Sequence, residues 1–226
     1  MLYLLLPAVG IKAQEAAISK DGRLIPIQTN FSGNTITLLK SQDVQGTPML
    51  SDRWSTGAVK FRDGREIDSL QLQFNLETNK LLFRSQGLTL EFIDTVTESS
   101  FEYVENEQKR KVLLKNGYPE TDGHNTSSFY IVLVDGKKFQ LLQYKGKKAI
   151  SQYSYNTSSS VAYKEWDDLF IYENSTNAMH KIKEKKASVL NALPGSGAII
   201  KDICSQNKLE LNSITEVAAL ISLMNK

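Results

Sequence analysis

Between Val59 and Ile93 the sequence leaves no room for anything but strands. Val59 to Arg62 is closed by Asp63-Gly64, a short-hairpin signal. Leu70, Leu72, Phe74 and Leu76 then alternate with Gln71, Gln73 and Asn75, the period of a half-buried strand. A turn at Asn79 leads to Lys80–Ser85, with Leu81 and Phe83 on one face. Gln86-Gly87 turns the chain into Leu88–Ile93, which sets Leu88, Leu90 and Phe92 against Thr89 and Glu91. A parallel crossover needs about a dozen residues, and no connection here has them, so an antiparallel meander is predicted.

The same logic extends on both sides. Leu24 to Gln28 predicts an early strand, and Phe101 to Leu114 two more. Residues 118–128 carry Pro119, Gly123 and small polar side chains without a period, so they read as a loop. Phe129 to Val134 is apolar on both faces and predicts a central strand, turned by Asp135-Gly136 into Phe139–Tyr144. After a polar stretch, Val161–Lys164, Leu169–Glu173 and Met179–Lys183 read as separate strands.

The period changes near Lys185. Ala187, Val189, Leu190 and Leu193 predict a short helix stopped by Pro194-Gly195. Ile199, Ile200, Ile203 and Cys204 predict a second, with Gly195-Ser196-Gly197 as its N-cap rather than a phosphate loop. Ser213 and Glu216 form a capping-box pair before a third, with the stripe Val217, Leu220, Ile221 and Met224. This stripe is expected to dock on Ile199, Ile200 and Ile203. The fold class is α+β: mainly antiparallel meanders and hairpins with a C-terminal bundle of two or three short helices. Residues 14–184 form the β-rich body, in one sheet system or in clusters 34–98 and 101–184; residues 185–226 form the helical segment.

Residues 2–11 are almost wholly apolar, too short to span a bilayer and of the length of a signal-peptide core. Ile11-Lys12-Ala13 supplies the cleavage pattern, so residues 1–13 read as a signal peptide and Gln14 as the mature start. No basic residue precedes the apolar run, which points to a translation start upstream of Met1 or a misassigned one. The expected location is periplasmic or extracellular, with no transmembrane segment in the mature chain. A net charge of +2 gives no case for nucleic acid. One cysteine, Cys204, excludes an internal disulfide framework and reads as a buried thiol.

No catalytic, cofactor or metal residue is assigned. His124 lies in Thr121-Asp122-Gly123-His124-Asn125. An Asp and a His two apart can hold a divalent ion or act as an acid–base pair, but a solvated turn, with His124 tolerating positive φ, is the simpler reading. His180 shares a strand face with Ala178 and Ile182 and reads as partly buried. Lysines at 109–111, 137–138, 145–148 and 181–186 read as solvated strand faces and hairpin ends. The ligand-contact candidates are aromatics, Tyr153, Tyr155, Tyr163, Trp166 and Tyr172, which could stack on a sugar or a partner chain or simply fill a sheet surface.

Ser51-Asp52-Arg53-Trp54, Gly57-Ala58-Val59, Phe61-Arg62-Asp63-Gly64, the meander with Phe74-Asn75-Leu76 and Asn79-Lys80-Leu81, Tyr144-Lys145, Phe170-Ile171-Tyr172, Lys183 to Leu193 and Asn207-Lys208-Leu209 resemble a group of uncharacterised secreted, β-rich proteins of Bacteroidota-type bacteria. The resemblance implies export to a bacterial envelope and no known activity, and it carries over no functional residue. With no nucleophile, metal or phosphate motif, the chain is expected to be a non-catalytic binding or scaffold protein without a cofactor. Its expected partner is an envelope protein or a glycan. The alternatives are a carboxylate-based envelope hydrolase, because acid pairs leave no sequence signature, and a sugar-binding module using the aromatics.

Overall fold

The computed structural model describes residues 16–18, 24–26, 33–35, 44–105, 107–154 and 157–226, with the backbone alone at 16–18, 24–26, 33–35, 152–154 and 157–160. The strands are β1 (Ala16–Ile18), β2 (Leu24–Pro26), β3 (Gly33–Thr35), β4 (Val44–Gln45), β5 (Ser55–Phe61), β6 (Glu66–Asn75), β7 (Lys80–Ser85), β8 (Leu88–Phe92), β9 (Val96–Glu105), β10 (Gln108–Lys115), β11 (Tyr130–Asp135), β12 (Phe139–Ser154), β13 (Thr157–Glu173) and β14 (Ala178–Ile182). Helix α1 (Lys186–Ala192), a 3₁₀ turn (Pro194–Ser196), α2 (Gly197–Asn207) and α3 (Ile214–Met224) follow.

β1 and β2 pair with each other, and the other twelve strands share one sheet. Its order is β14-β13-β12-β11-β10-β9-β5-β6-β7-β8-β3, with β4 beside β13. Strands of both sequence clusters therefore join the same sheet. The chain is mostly β (51% strand), and the pairing is antiparallel except for β4 with β13, where Val44 and Gln45 run parallel to Val161 and Ala162. The sheet is thus mainly antiparallel, as expected, with one parallel pair added. A strand of two residues, partly buried Val44 and exposed Gln45, is too short to carry a period that could have announced it.

Loop length forces the sheet to curl. In a flat sheet β8 and β9 would lie four strand intervals apart, about 19 Å. Only Ile93, Asp94 and Thr95 connect them, a reach of about 14 Å at full extension. The β8 edge must therefore bend back toward β9, giving a half-barrel. The closure is visible in side chains: the Phe61 and Phe92 rings meet edge-on at 5.8 Å, and Phe83 lies 4.4 Å from Phe92. Arg62 N–H donates to the Thr95 carbonyl, and Arg65 pairs with Asp94 at 2.7 Å. Inside the curl the alternating apolar residues form one core, including Phe61, Ile67, Leu72, Phe74, Phe83 and Leu114.

The β11–β14 end buries both faces. One face (Phe139, Leu141, Leu169, Ile171, Ile182) packs against the helices, where Val189, Ile200, Cys204 and all four stripe residues of α3 are buried. The other face carries Tyr118, Tyr130, Leu142, Phe170 and Met179. Among the described residues no helix is long and apolar enough to cross a membrane.

Several details differ from the expectations. Val161–Lys164 and Leu169–Glu173 belong to one strand, β13, and β12 continues past Tyr144 to Ser154. The intervening residues pair continuously from Phe139↔Glu173 to Ser154↔Thr157, with one register shift. Their polar side chains carried no burial signal. Ile199 is 57% exposed, so α3 docks on the sheet and on the Ile200 side of α2. Ser196 occupies the N-cap position of α2 but its side chain makes no cap bond. At α3 the Ser213 hydroxyl accepts from Glu216 N–H, while the Glu216 carboxylate accepts from Asn212 N–H, one residue before the reciprocal box would place it. Residues 1–13, read as a signal peptide, and Gln14 lie outside the described residues.

Candidate functional site

The loop after β10 folds back over the sheet through a local device. Asp122 and Gly123 both have positive φ, 54° and 81°, and Thr121 and His124 exchange backbone hydrogen bonds at 3.0 and 3.1 Å. This is the backbone pattern of a two-residue hairpin turn, for which Asp-Gly is suited. Positive φ thus falls on Asp122 and Gly123, not on His124. The loop's exit is fixed by Asn79: its carboxamide donates to the Phe129 carbonyl and accepts from Phe129 N–H.

The turn returns His124 to the β11–β13 face rather than to solvent, which corrects the solvated-turn reading. Its imidazole stacks on Tyr144, with centroids 3.9 Å apart and planes 25° from parallel. Tyr130 and Phe170 meet it edge-on at 5.9 and 5.8 Å. The shelf continues through Tyr118, which contacts Tyr130 at 5.5 Å and Tyr172 at 5.1 Å. Tyr118 donates its hydroxyl to Gln140 at 2.6 Å. Burial holds His124 below the ordinary imidazole range, against the pull of Asp122 and Asp168. Burial also pushes the Tyr118 and Tyr130 phenols far above theirs.

At the rim of this shelf the donor atoms of Asp122, His124 and Asp168 lie within 4.8 Å of one another. Asp168 pairs with Tyr144 across β12 and β13, which brings it under the turn. Lys181, on β14, bridges the carboxylates at 2.7 Å to Asp122 and 2.8 Å to Asp168. Its hydrogen bond holds the Asp122 carboxyl low, and the two carboxylates raise the lysine.

Beside His124 opens a cavity of about 430 Å³. Its lining includes Phe92, Phe129, His124 and Tyr144 among rings, and Thr78, Ser127 and Ser128 among neutral polar groups. Its charged residues are answered locally: Lys80 pairs with Glu91 at 2.8 Å, and Asp94 with Arg65.

The aromatic candidates do not converge. Trp166 is 43% exposed and lies over Gly146. Tyr172 shares its strand face but sits six residues on, about 20 Å along β13. It donates to Asn177 at 2.9 Å and belongs to the Tyr118 shelf. Tyr163 falls on the opposite face by strand alternation and donates to Glu77 at 3.1 Å. The Tyr153 side chain and all of Tyr155 lie outside the described residues. His180 is partly buried on the helix-covered side of β14, away from His124. Cys204 is buried, which pushes its thiol up. The residues that gather, Tyr118, Tyr130, Tyr144 and His124, carried one usable signal: Asp-Gly between Thr121 and His124 marks a reversal that sends the histidine back along its own path.

No family model, curated protein or solved structure matches the chain.

Proposed function

We propose that this chain is an exported, non-catalytic binding protein of a bacterial envelope, and that the cavity beside His124 takes a neutral saccharide. The cavity's chemistry carries the reading. A volume of about 430 Å³ suits a small ligand. Hydroxyls at Thr78, Ser127 and Ser128 can both donate and accept, as sugar hydroxyls require, and the rings offer apolar faces. The charges in the wall are already in ion pairs, Lys80 with Glu91 and Asp94 with Arg65 outside the lining, which disfavours an ionic ligand. Export rests on the apolar 2–11 segment and on the resemblance to secreted proteins.

The hydrolase alternative is less well supported. A glycosidase acid must keep its proton near neutral pH, so its carboxyl is raised. The clear displacements at Asp63 and Asp122 are both downward, through hydrogen bonds from Arg65 and Lys181.

The test is an NMR titration of the protein with a panel of neutral mono- and disaccharides. Amide shifts centred on Ser127, Ser128 and Tyr144 are expected, and Ser127→Trp, at an exposed position, should abolish them. A panel that moves no cavity resonance, or a Ser127→Trp protein that binds unchanged, refutes the saccharide reading. Mass spectrometry of the native protein should find Gln14, or a close neighbour, at the N-terminus. An intact Met1 on a cytosolic product refutes export.

A further inference from the structure

We propose that Asp122, His124 and Asp168 form a site for a divalent transition-metal ion, and that Lys181 is the cation that holds its carboxylates together until the metal arrives. This site does not depend on what fills the neighbouring cavity.

Geometry is the first argument. Ligands of a tetrahedral ion at 2.0–2.2 Å lie about 3.3–3.6 Å apart. The three donor atoms are already within 4.8 Å. Asp122 stands on an exposed turn, so closing the difference takes a side-chain rotation rather than a backbone shift. The donor set is one imidazole and two carboxylates. Nitrogen with oxygen suits zinc or manganese better than calcium or magnesium, which prefer oxygen alone.

The lysine is the second argument. An ammonium within 2.8 Å of both carboxylates marks the point where positive charge is most stabilised. Lys181 is 39% exposed, Asp122 45% and Asp168 26%, and such open bridges contribute little each. A divalent ion that gains a nitrogen ligand as well can displace it.

The third argument is independent of charge. Two buried side-chain polar atoms among the described residues lack a hydrogen-bond partner: His124 Nε2 and the Tyr130 hydroxyl. Both belong to this cluster. Tyr130 is 1% exposed, its ring lies 5.9 Å from His124, and its hydroxyl lies in the field of the Asp122 carboxylate. Buried polar groups are normally satisfied, and two orphans in one place call for a ligand there. A metal bound through Nε2 satisfies the imidazole directly. Water on the metal's remaining positions can accept from the phenol.

The experiment is isothermal titration of the full chain with Zn²⁺ and with Mn²⁺, read in parallel by the imidazole resonances of His124. One ion per chain is expected, with the His124 signals shifted by Zn²⁺ and broadened by Mn²⁺. Lys181→Met should tighten binding about five- to tenfold, the equivalent of two exposed ion pairs. Asp168→Asn should weaken it tenfold or more, and Asp122→Asn gives the same test should the first variant fold poorly. Binding that survives both carboxamide variants, or that leaves His124 unmoved, overturns the proposal. So does binding seen only in Lys181→Met, which would make the lysine the permanent occupant. Absence of binding in every protein overturns it as well.

Discussion

Asn225 anchors the last helix to the sheet, and its removal should be costly for an otherwise ordinary helix C-cap. Its carboxamide oxygen accepts from Lys138 N–H at 2.9 Å and Phe139 N–H at 3.1 Å. Its nitrogen donates to the Phe139 carbonyl at 2.9 Å and to the Ile221 carbonyl at 2.7 Å. One side chain thus ties the end of α3 to the start of β12, 86 residues away in sequence. Glycine at 136 leaves the space, because a Cβ there would collide with the carboxamide. Lys138 is exposed, so its N–H regains water when Asn225 is truncated. The part-buried Phe139 groups do not regain it as easily. At about 1 kcal/mol for each of two or three hydrogen bonds not replaced, Asn225→Ala should lose about 2–3 kcal/mol. For a chain of this size that is a fall in Tm of about 4–12 °C. Asn225→Asp keeps the acceptor, loses both donors, and should fall between. Urea unfolding followed by circular dichroism measures all three proteins. A midpoint for Asn225→Ala within about 0.5 kcal/mol of the parent would show that the anchor is ornamental.

Leu220 is fully buried between α3 and the sheet, so Leu220→Asp should cost more than about 4 kcal/mol, and thermal melts should show the helical tail loosened. An unchanged midpoint coupled with loss of a pulled-down partner would mean the helix faces outward. Gly57→Ala should destabilise the chain by about 1–3 kcal/mol in urea, because its Cβ would meet the Ser100 carbonyl, the Phe101 Cβ and a Leu72 methyl at once. An unchanged midpoint would show that the β5–β9 contact is loose. Alkaline titration followed at 295 nm should leave Tyr118 and Tyr130 protonated beyond the ordinary phenol range near 10. Their folded values are raised, so their contribution is full below about pH 10 and disappears as pH climbs through the folded values. All nine tyrosines titrating together near 10 would contradict the burial.

The first meander was legible because apolar and polar side chains alternate from Leu70 to Leu76, although the polar face is not all wet. Gln73 and Asn75 are buried, with Gln73 donating to the Ser51 carbonyl and the Asn75 carboxamide oxygen accepting from Glu77 and Thr78 N–H. The helices were legible for the same reason at a period of 3.6, and all four α3 stripe residues are buried. The distal half of the β12–β13 hairpin was not. There Lys145, Lys147, Lys148, Lys164 and Glu165 alternate polar with polar, and the strand is held by backbone pairing and by Lys147 donating to the Met49 carbonyl. The candidate site was half legible. Asp122-Gly123 announced a turn, but the partners of His124 lie on β11, β12, β13 and β14, and no local pattern states which strands will lie beneath a loop.

The strand order also fixes how the molecule can assemble itself. From β5 to β14 every strand lies beside its neighbour in sequence except at one place, where β9 joins β5 instead of β8. The sheet is therefore two serial meanders, β5–β8 and β9–β14, each able to zip by short hairpin closures. Their strands pair with each other along a single seam, Gly57↔Phe101 to Phe61↔Val96, that spans far more chain than any hairpin within them. Closing that seam carries most of the loop entropy between these halves and should set the slow step of their union. Gly57, whose missing side chain lets the strands touch, sits at that join. A cut in the exposed link at Ile93 would release two fragments that each hold a whole meander, with the seam as the surface along which they find each other again.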